Sequence, residues 1–274
     1  MSEAAIIDSL LLGVVQGLTE LLPVSSSGHL ILAHEWLGQG SNTGDLTFDA
    51  LLHFATAAAI LLYFWRDMWK LIKATVALPK AVMEKSPLSA DGEMALALMV
   101  GTVPAVVLGL LLEDIMATLF RNPLLVAGTL VFGSGIMLFA ERHQGSLMHL
   151  IPSNAGFLRG LGIGLFQSLA LVPGMSRSGM AISGGMLFGM KRDAAAVFGF
   201  LLGVPLLLGA GAKKAFELGI AELNAPIFVG TAAAFIVALL VIHFLLRFLR
   251  TNTLHVFIWY RVALAFGIVF VLLL

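Results

Sequence analysis

The sequence has no cysteine in its 274 residues, which excludes disulfides and thiolate-held metal and leaves the compartment open. Charge is nearly as scarce. Asp, Glu, Lys and Arg make up 12% of the chain, against roughly 25% in a soluble domain, and they cancel to a formal net charge of zero. That balance offers no basic surface to a nucleic acid. No Lys or Arg precedes Arg66, so the N-terminus lacks the basic segment of a signal peptide and is expected to be retained. What fills the chain instead is apolar: 59% of residues are hydrophobic and the mean hydropathy is +0.99. The expectation is an all-α integral membrane protein, a single membrane domain over residues 1–274 with little room for a water-soluble one.

Six apolar runs reach the length of a membrane-crossing helix: roughly 46–65, 93–112, 123–140, 194–212, 225–246 and 254–274. The connector 66–92 carries Arg66, Trp69, Lys70, Lys73, Lys80 and Lys85, and its first half reads as an amphipathic helix lying on the membrane surface. Two further stretches, 8–38 and 157–190, are apolar but broken by short polar turns, Pro23 to His29 and Pro173 to Gly179. Neither half of the first stretch spans a bilayer alone, so each stretch is expected to be a re-entrant helical hairpin. Such breaks survive at membrane depth only inside protein or against a wet cavity.

The two broken stretches are copies. A shift of 151 positions superposes Leu10 on Leu161, Gly13 on Gly164, Gln16 on Gln167, Leu18 on Leu169, Ser25 on Ser176, Ser27 on Ser178, Gly28 on Gly179, Ile31 on Ile182 and Gly38 on Gly189. Nine ungapped identities across 29 positions exceed what a Leu- and Gly-rich composition supplies. The reading is a duplication, with residues 1–150 as the first repeat and 151–274 as the second. If both hairpins return to the side they enter, eleven Lys and Arg residues fall on one side and three (Arg121, Lys213, Lys214) on the other. The richer side is cytoplasmic by the positive-inside rule. The termini then lie outside, the hairpins enter from opposite sides, and their tips can meet near the midplane, as in inverted-repeat membrane proteins.

The tips collect chemistry that hydrocarbon does not tolerate without a reason. Gln16 and Glu20, four apart, share one helix face. Ser25 or Ser26 is placed to cap the next helix, whose free N–H groups favour an anion, with Ser27 beside them and His29 in the first turn. In the second tip Gly174 permits close approach, Ser176 and Ser178 cap and donate, and Arg177 offers a planar fork to a phosphate. Together they form a pocket for a phosphate ester or diphosphate. Glu20 can hold Mg²⁺, which binds through one or two carboxylates plus phosphates, act as a base, or simply pair with Arg177. Each serine has the blander option of bonding its own backbone. Asp49 and His53, one turn apart, read as a stitch between helices; His34, His143, His149, His243 and His255 read as interfacial; Arg261 reads as a snorkelling or internally paired cation without a function.

The stretch Leu18-Thr19-Glu20-Leu21-Leu22-Pro23-Val24-Ser25-Ser26-Ser27-Gly28-His29, with Pro173-Gly174-Met175-Ser176-Arg177-Ser178-Gly179, resembles the undecaprenyl-pyrophosphate phosphatases of the bacitracin-resistance type. Ile182 to Met186 and Phe200 to Pro205 extend the likeness over nearly the whole chain. The resemblance implies a hydrolase of the bacterial inner membrane that removes the terminal phosphate of the C55 lipid carrier diphosphate. It thereby recycles the carrier for peptidoglycan and confers bacitracin resistance. It further implies a divalent cation, Mg²⁺ or Ca²⁺, and a site reached from the periplasmic side. Carried onto this chain, the family's E/Q-x-x-x-E motif falls on Gln16 and Glu20, its serine on Ser26, its histidine on His29 and its arginine on Arg177. Ala181 stands where the second motif usually ends in Thr.

Two mechanisms stay open at this level. Ser26 attacks phosphorus with His29 taking its proton, or Ser26 only binds and a water activated by Glu20 or metal attacks. Substrate contacts are expected from Gln16, Ser25, Ser27, Gly174, Ser176 and Ser178, with the prenyl tail leaving sideways into lipid. A second copy of the chain is an expected partner. The competing reading is an inverted-repeat transporter or flippase for an anionic headgroup, although a carrier has no need of a Ser–His pair.

Overall fold

The computed structural model describes residues 3–37, 43–112, 122–151, 156–218 and 224–273. Gly38 of the repeat alignment and Arg121 of the charge count lie outside them. Among the described residues the chain is helical throughout, with no strand. Its α-helices are α1 (Glu3–Thr19), α2 (Ser26–Trp36), α3 (Thr43–Tyr63), α4 (Trp65–Met83), α5 (Ala90–Leu111) and α6 (Pro123–Arg142). They continue with α7 (Gly156–Ser168), α8 (Arg177–Leu187), α9 (Arg192–Leu218), α10 (Ala225–Leu249) and α11 (His255–Leu273). Five of them, α5, α6, α9, α10 and α11, are long and apolar enough to cross a membrane, or six spans with the α3–α4 pair.

That pair bends by 85° at Phe64. Beyond the bend α4 has the composition of a surface helix: Leu71 and Leu78 are buried while Trp65 and Trp69 are exposed. Arg66 lies over the Trp65 ring and Lys73 over Trp69, each 5.3 Å from the ring centroid. Aromatic rings at headgroup level with cations beside them anchor a helix in the interface.

The two broken stretches are α1–α2 and α7–α8. Their first helices, 17 and 13 residues long, fall short of the ~20 residues of a span. Each leans on a long helix from the other half of the chain, α1 along α10 and α7 along α5, while α3 and α9 pack between them and α6 pairs with α11. The contacts are backbone-close. A Cβ on Gly13 would strike the Gly230 carbonyl, and one on Gly164 the Gly101 carbonyl, so these glycines permit the small-residue packing by which membrane helices associate. Gly13 and Gly164, 151 positions apart, thus make the same kind of close crossing, on α10 and α5 respectively. Gly13→Val is expected to destabilise the fold by about 1–3 kcal/mol through overpacking, read as a lower unfolding temperature in detergent.

Candidate active site

α1 ends on a hydrogen-bonded turn: the Glu20 N–H still donates to the Gln16 carbonyl at 2.9 Å, and Pro23 then forbids continuation. The chain re-enters helix through Ser25, whose φ of 76° lies in the left-handed region. In the second hairpin α7 tightens into a 3-10 turn over Leu169–Leu171, and the chain re-enters helix through Ser176, with φ 72°. A non-glycine residue held there costs about 1–3 kcal/mol and is sustained only by surrounding structure. The two tips share this strain and the bonds that sustain it. Ser25 Oγ accepts from the Gly28 N–H at 3.5 Å and Ser176 Oγ from the Gly179 N–H at 3.2 Å. The pairs Ser25–Ser27 and Ser176–Ser178 each stand 3.2 Å apart through their hydroxyls. Of the two serines expected as the first cap, Ser25 is the one. Ser26 opens α2.

The tips meet. Ser178 Oγ donates to the Leu22 carbonyl at 3.0 Å, and the Gly174 N–H makes a long bond of 3.4 Å to Ser27 Oγ. Gly174 itself, at φ 92°, presses against Thr129 of α6 so closely that no side chain fits there. Thr129 Oγ1 holds the Pro173 carbonyl beside it.

At the junction sits Glu20, buried at 6% exposure. Its Oε2 accepts from Ser26 Oγ at 2.6 Å and from Gln16 Nε2 at 3.0 Å. Its Oε1 lies 3.2 Å from Arg177 Nη1, an ion pair in which that nitrogen makes no aligned hydrogen bond. The pairing expected of Glu20 and Arg177 across the tips is therefore present, and it leaves a buried guanidinium donor unspent. His53 of α3 closes the cluster, its Nε2 3.2 Å from Glu20 Oε2 and its Nδ1 donating to the Asp49 carbonyl at 2.7 Å.

His29 is oriented elsewhere. Its Nδ1 donates to the Ser25 carbonyl at 2.7 Å, because a carbonyl can only accept, and its Nε2 meets the Tyr260 hydroxyl at 2.7 Å. The Ser26 proton therefore points to Glu20 and not to His29, which departs from the Ser26–His29 arrangement considered from sequence.

Other expectations need correcting. The Asp49–His53 turn does more than stitch helices, since His53 faces Glu20. His34 is buried and pairs with Asp49 at 2.9 Å, so it is not interfacial. Arg261 does not snorkel but is paired internally: it is fully buried behind the second tip, bonded to the neutral oxygens of Ser134, Leu130 and Gly174 and to no carboxylate among the described residues. Only its coincidence in sequence with an apolar run, which made it conspicuous, signalled a role.

A divalent cation finds a partial donor set here. Among the described residues no group of three or more His, Cys, Asp or Glu side chains is arranged to hold one. Gln16 Oε1, however, is buried without a partner beside the Glu20 carboxylate. One amide and one carboxylate oxygen suit an ion whose other ligands are phosphate and water oxygens.

Residues 9–267 match the family model for bacitracin resistance protein BacA. The chain belongs to that family. An undecaprenyl-diphosphatase of Desulforudis audaxviator is 38% identical over 267 residues, covering 97% of this chain and 98% of that protein. One of Rubrobacter xylanophilus is 39% identical over 274 residues, covering 98% and 99%. One of Moorella thermoacetica is 38% identical over 260 residues, covering 95% of each.

Proposed function

We propose that the chain is an undecaprenyl-diphosphatase, hydrolysing the terminal phosphate of the C55 polyprenyl diphosphate to leave undecaprenyl phosphate and inorganic phosphate. The observation that carries the reading is the Ser26–Glu20–Arg177 cluster at the point where the two tips touch. Three family relatives bearing that activity by name support it, and no observation favours the transporter.

In the proposed mechanism the terminal phosphoryl group lies over the N-termini of α2 and α8, whose free N–H groups favour an anion. The unspent donor of Arg177 neutralises its oxygens as charge spreads in the transition state. Ser26 Oγ attacks phosphorus while its proton passes along the existing 2.6 Å bond to Glu20. The bond from phosphorus to the bridging oxygen breaks, and undecaprenyl phosphate leaves with that oxygen. Glu20 passes that proton to the departing phosphate oxygen. Water then attacks the phosphoserine, giving its proton to the freed carboxylate, which returns it to Ser26 Oγ as the bond from phosphorus to that oxygen breaks and phosphate leaves. His53 holds the Glu20 oxygen that receives the proton. Gln16 and Glu20 are the proposed ligands of a divalent cation, Mg²⁺ or Ca²⁺, which when bound would draw charge from the phosphate oxygens. Ser25 and Ser176 are spent on capping, so their proposed part in substrate binding is to aim the helix N-termini.

The proposed setting is the bacterial inner membrane with the site open to the periplasmic side, supported by the Lys and Arg asymmetry of the connectors. A homodimer is part of the proposal and rests on the sequence reading alone. The test is phosphate release from undecaprenyl diphosphate by purified protein in detergent with Mg²⁺. Arg177→Ala is expected to lower kcat/KM by about 10²–10³, the usual cost of one transition-state donor. Absence of turnover by folded wild type across several metals and prenyl diphosphates would reject the phosphatase.

A further inference from the structure

Two partly buried arginines have carboxylates: Arg177 has Glu20 and Arg192 has Glu141. Arg261 of α11 has none. It is 0% exposed, and its partners are neutral oxygens: Nε donates to Ser134 Oγ at 3.1 Å, and Nη2 to the Leu130 carbonyl at 3.2 Å and the Gly174 carbonyl at 2.9 Å. Nη1 is buried with no partner. A cation in the interior is costly unless an opposite charge answers it, and an intramembrane charge is by default functional.

Its place says what answers it. Gly174 is the crest of the second tip, tied through its N–H to Ser27 of the first. The preceding residue, Tyr260, reaches the first tip directly through His29. Consecutive residues of one helix thus hold both tips, and the cation among them stands behind the ground where the phosphates are proposed to lie. Glu20 balances one of the two arginines there. The other positive charge is left for the ligand.

We propose that Arg261 is a second cation of the diphosphate site, a positioning residue that acts through Gly174 and whose charge is compensated when the substrate's phosphates arrive. The inference rests on the phosphatase reading. It assigns Arg261 to affinity for the doubly phosphorylated headgroup, not to the bond-breaking step.

The experiment compares wild type, Arg261→Gln and Arg261→Lys as full-length protein in detergent. Steady-state phosphate release from undecaprenyl diphosphate gives KM and kcat, and inorganic pyrophosphate as competitor gives an inhibition constant. Glutamine keeps an N–H for the Gly174 carbonyl but no charge; lysine keeps the charge but not the fork. Arg261→Gln is expected to raise KM and the pyrophosphate inhibition constant by about tenfold or more with a smaller fall in kcat, while Arg261→Lys stays within about threefold on both constants. A folded Arg261→Gln with wild-type constants overturns the proposal. So does a pair of variants that lose kcat and thermal stability alike with KM unmoved, which is the signature of a purely structural arginine. Should Arg261→Gln fail to fold, Arg261→Lys decides: a tenfold rise in its pyrophosphate constant rejects the charge argument, and a preserved constant upholds it. Lack of turnover by wild type would instead strike the phosphatase reading itself, which separates the two failures.

Discussion

Glu20→Ala is expected to lower kcat/KM by about 10⁴ or more, the largest single effect in the chain. Loss of a proton acceptor alone accounts for about 10²–10⁴. The rest follows from the geometry. Glu20 is the shared partner of Ser26, Gln16, Arg177 and His53, so its removal leaves a guanidinium, an imidazole and a hydroxyl buried and unanswered. The comparison with Glu20→Gln separates the two contributions. Glutamine restores a carbonyl acceptor for Ser26 without a negative charge, so it should recover thermal stability but little activity. Single-turnover phosphate release alongside melting curves would check this. An active Glu20→Gln would transfer the role of base to another group.

Ser26→Ala comes second, with an expected fall in kcat of about 10³–10⁴, the scale on which removal of a covalent nucleophile is felt. Its hydroxyl is the one in the tips whose proton is already directed to a carboxylate, at 2.6 Å. Acid quenching of wild type during turnover should trap phosphate on the protein, and the variant should trap none. Retention of a tenth or more of wild-type kcat by Ser26→Ala would hand the attack to water and reduce the Ser26–Glu20 bond to a structural one. Either result resolves the choice that the motif alone leaves open.

The tips were legible in sequence because everything that makes them is local. A proline, a glycine, closely spaced serines and one charge interrupt an apolar run, and the 151-residue repeat of that pattern shows that it happens twice. The pairing of Glu20 with Arg177 was also within reach, since a buried carboxylate and a buried cation in facing tips have few other partners. His53 was not legible. It lies 33 residues past Glu20 on another helix, and its spacing from Asp49 is that of an ordinary helical stitch. Only the packing of α3 against the hairpins turns it inward. Arg261 was visible as an anomaly yet had no assignable partner, because its acceptors are two backbone carbonyls and a serine on other elements. Backbone acceptors carry no sequence signal. The His29–Tyr260 bond escaped for a similar reason: it joins residues 231 apart, and nothing in either neighbourhood names the other.

The crossed packing of the halves also governs when the protein becomes an enzyme during its own synthesis. α1 is among the first segments to leave the ribosome, but the helix it lies along, α10, begins at Ala225. The brace on both tips, Tyr260 and Arg261, comes later still. Until then the first hairpin carries Glu20 and Ser26 with no wall to close against, and long-range contacts of this kind form late and slowly. Activity should therefore arrive in one step near the end of translation, and a chain stopped short of α11 would contain the whole of both motifs and none of the catalyst.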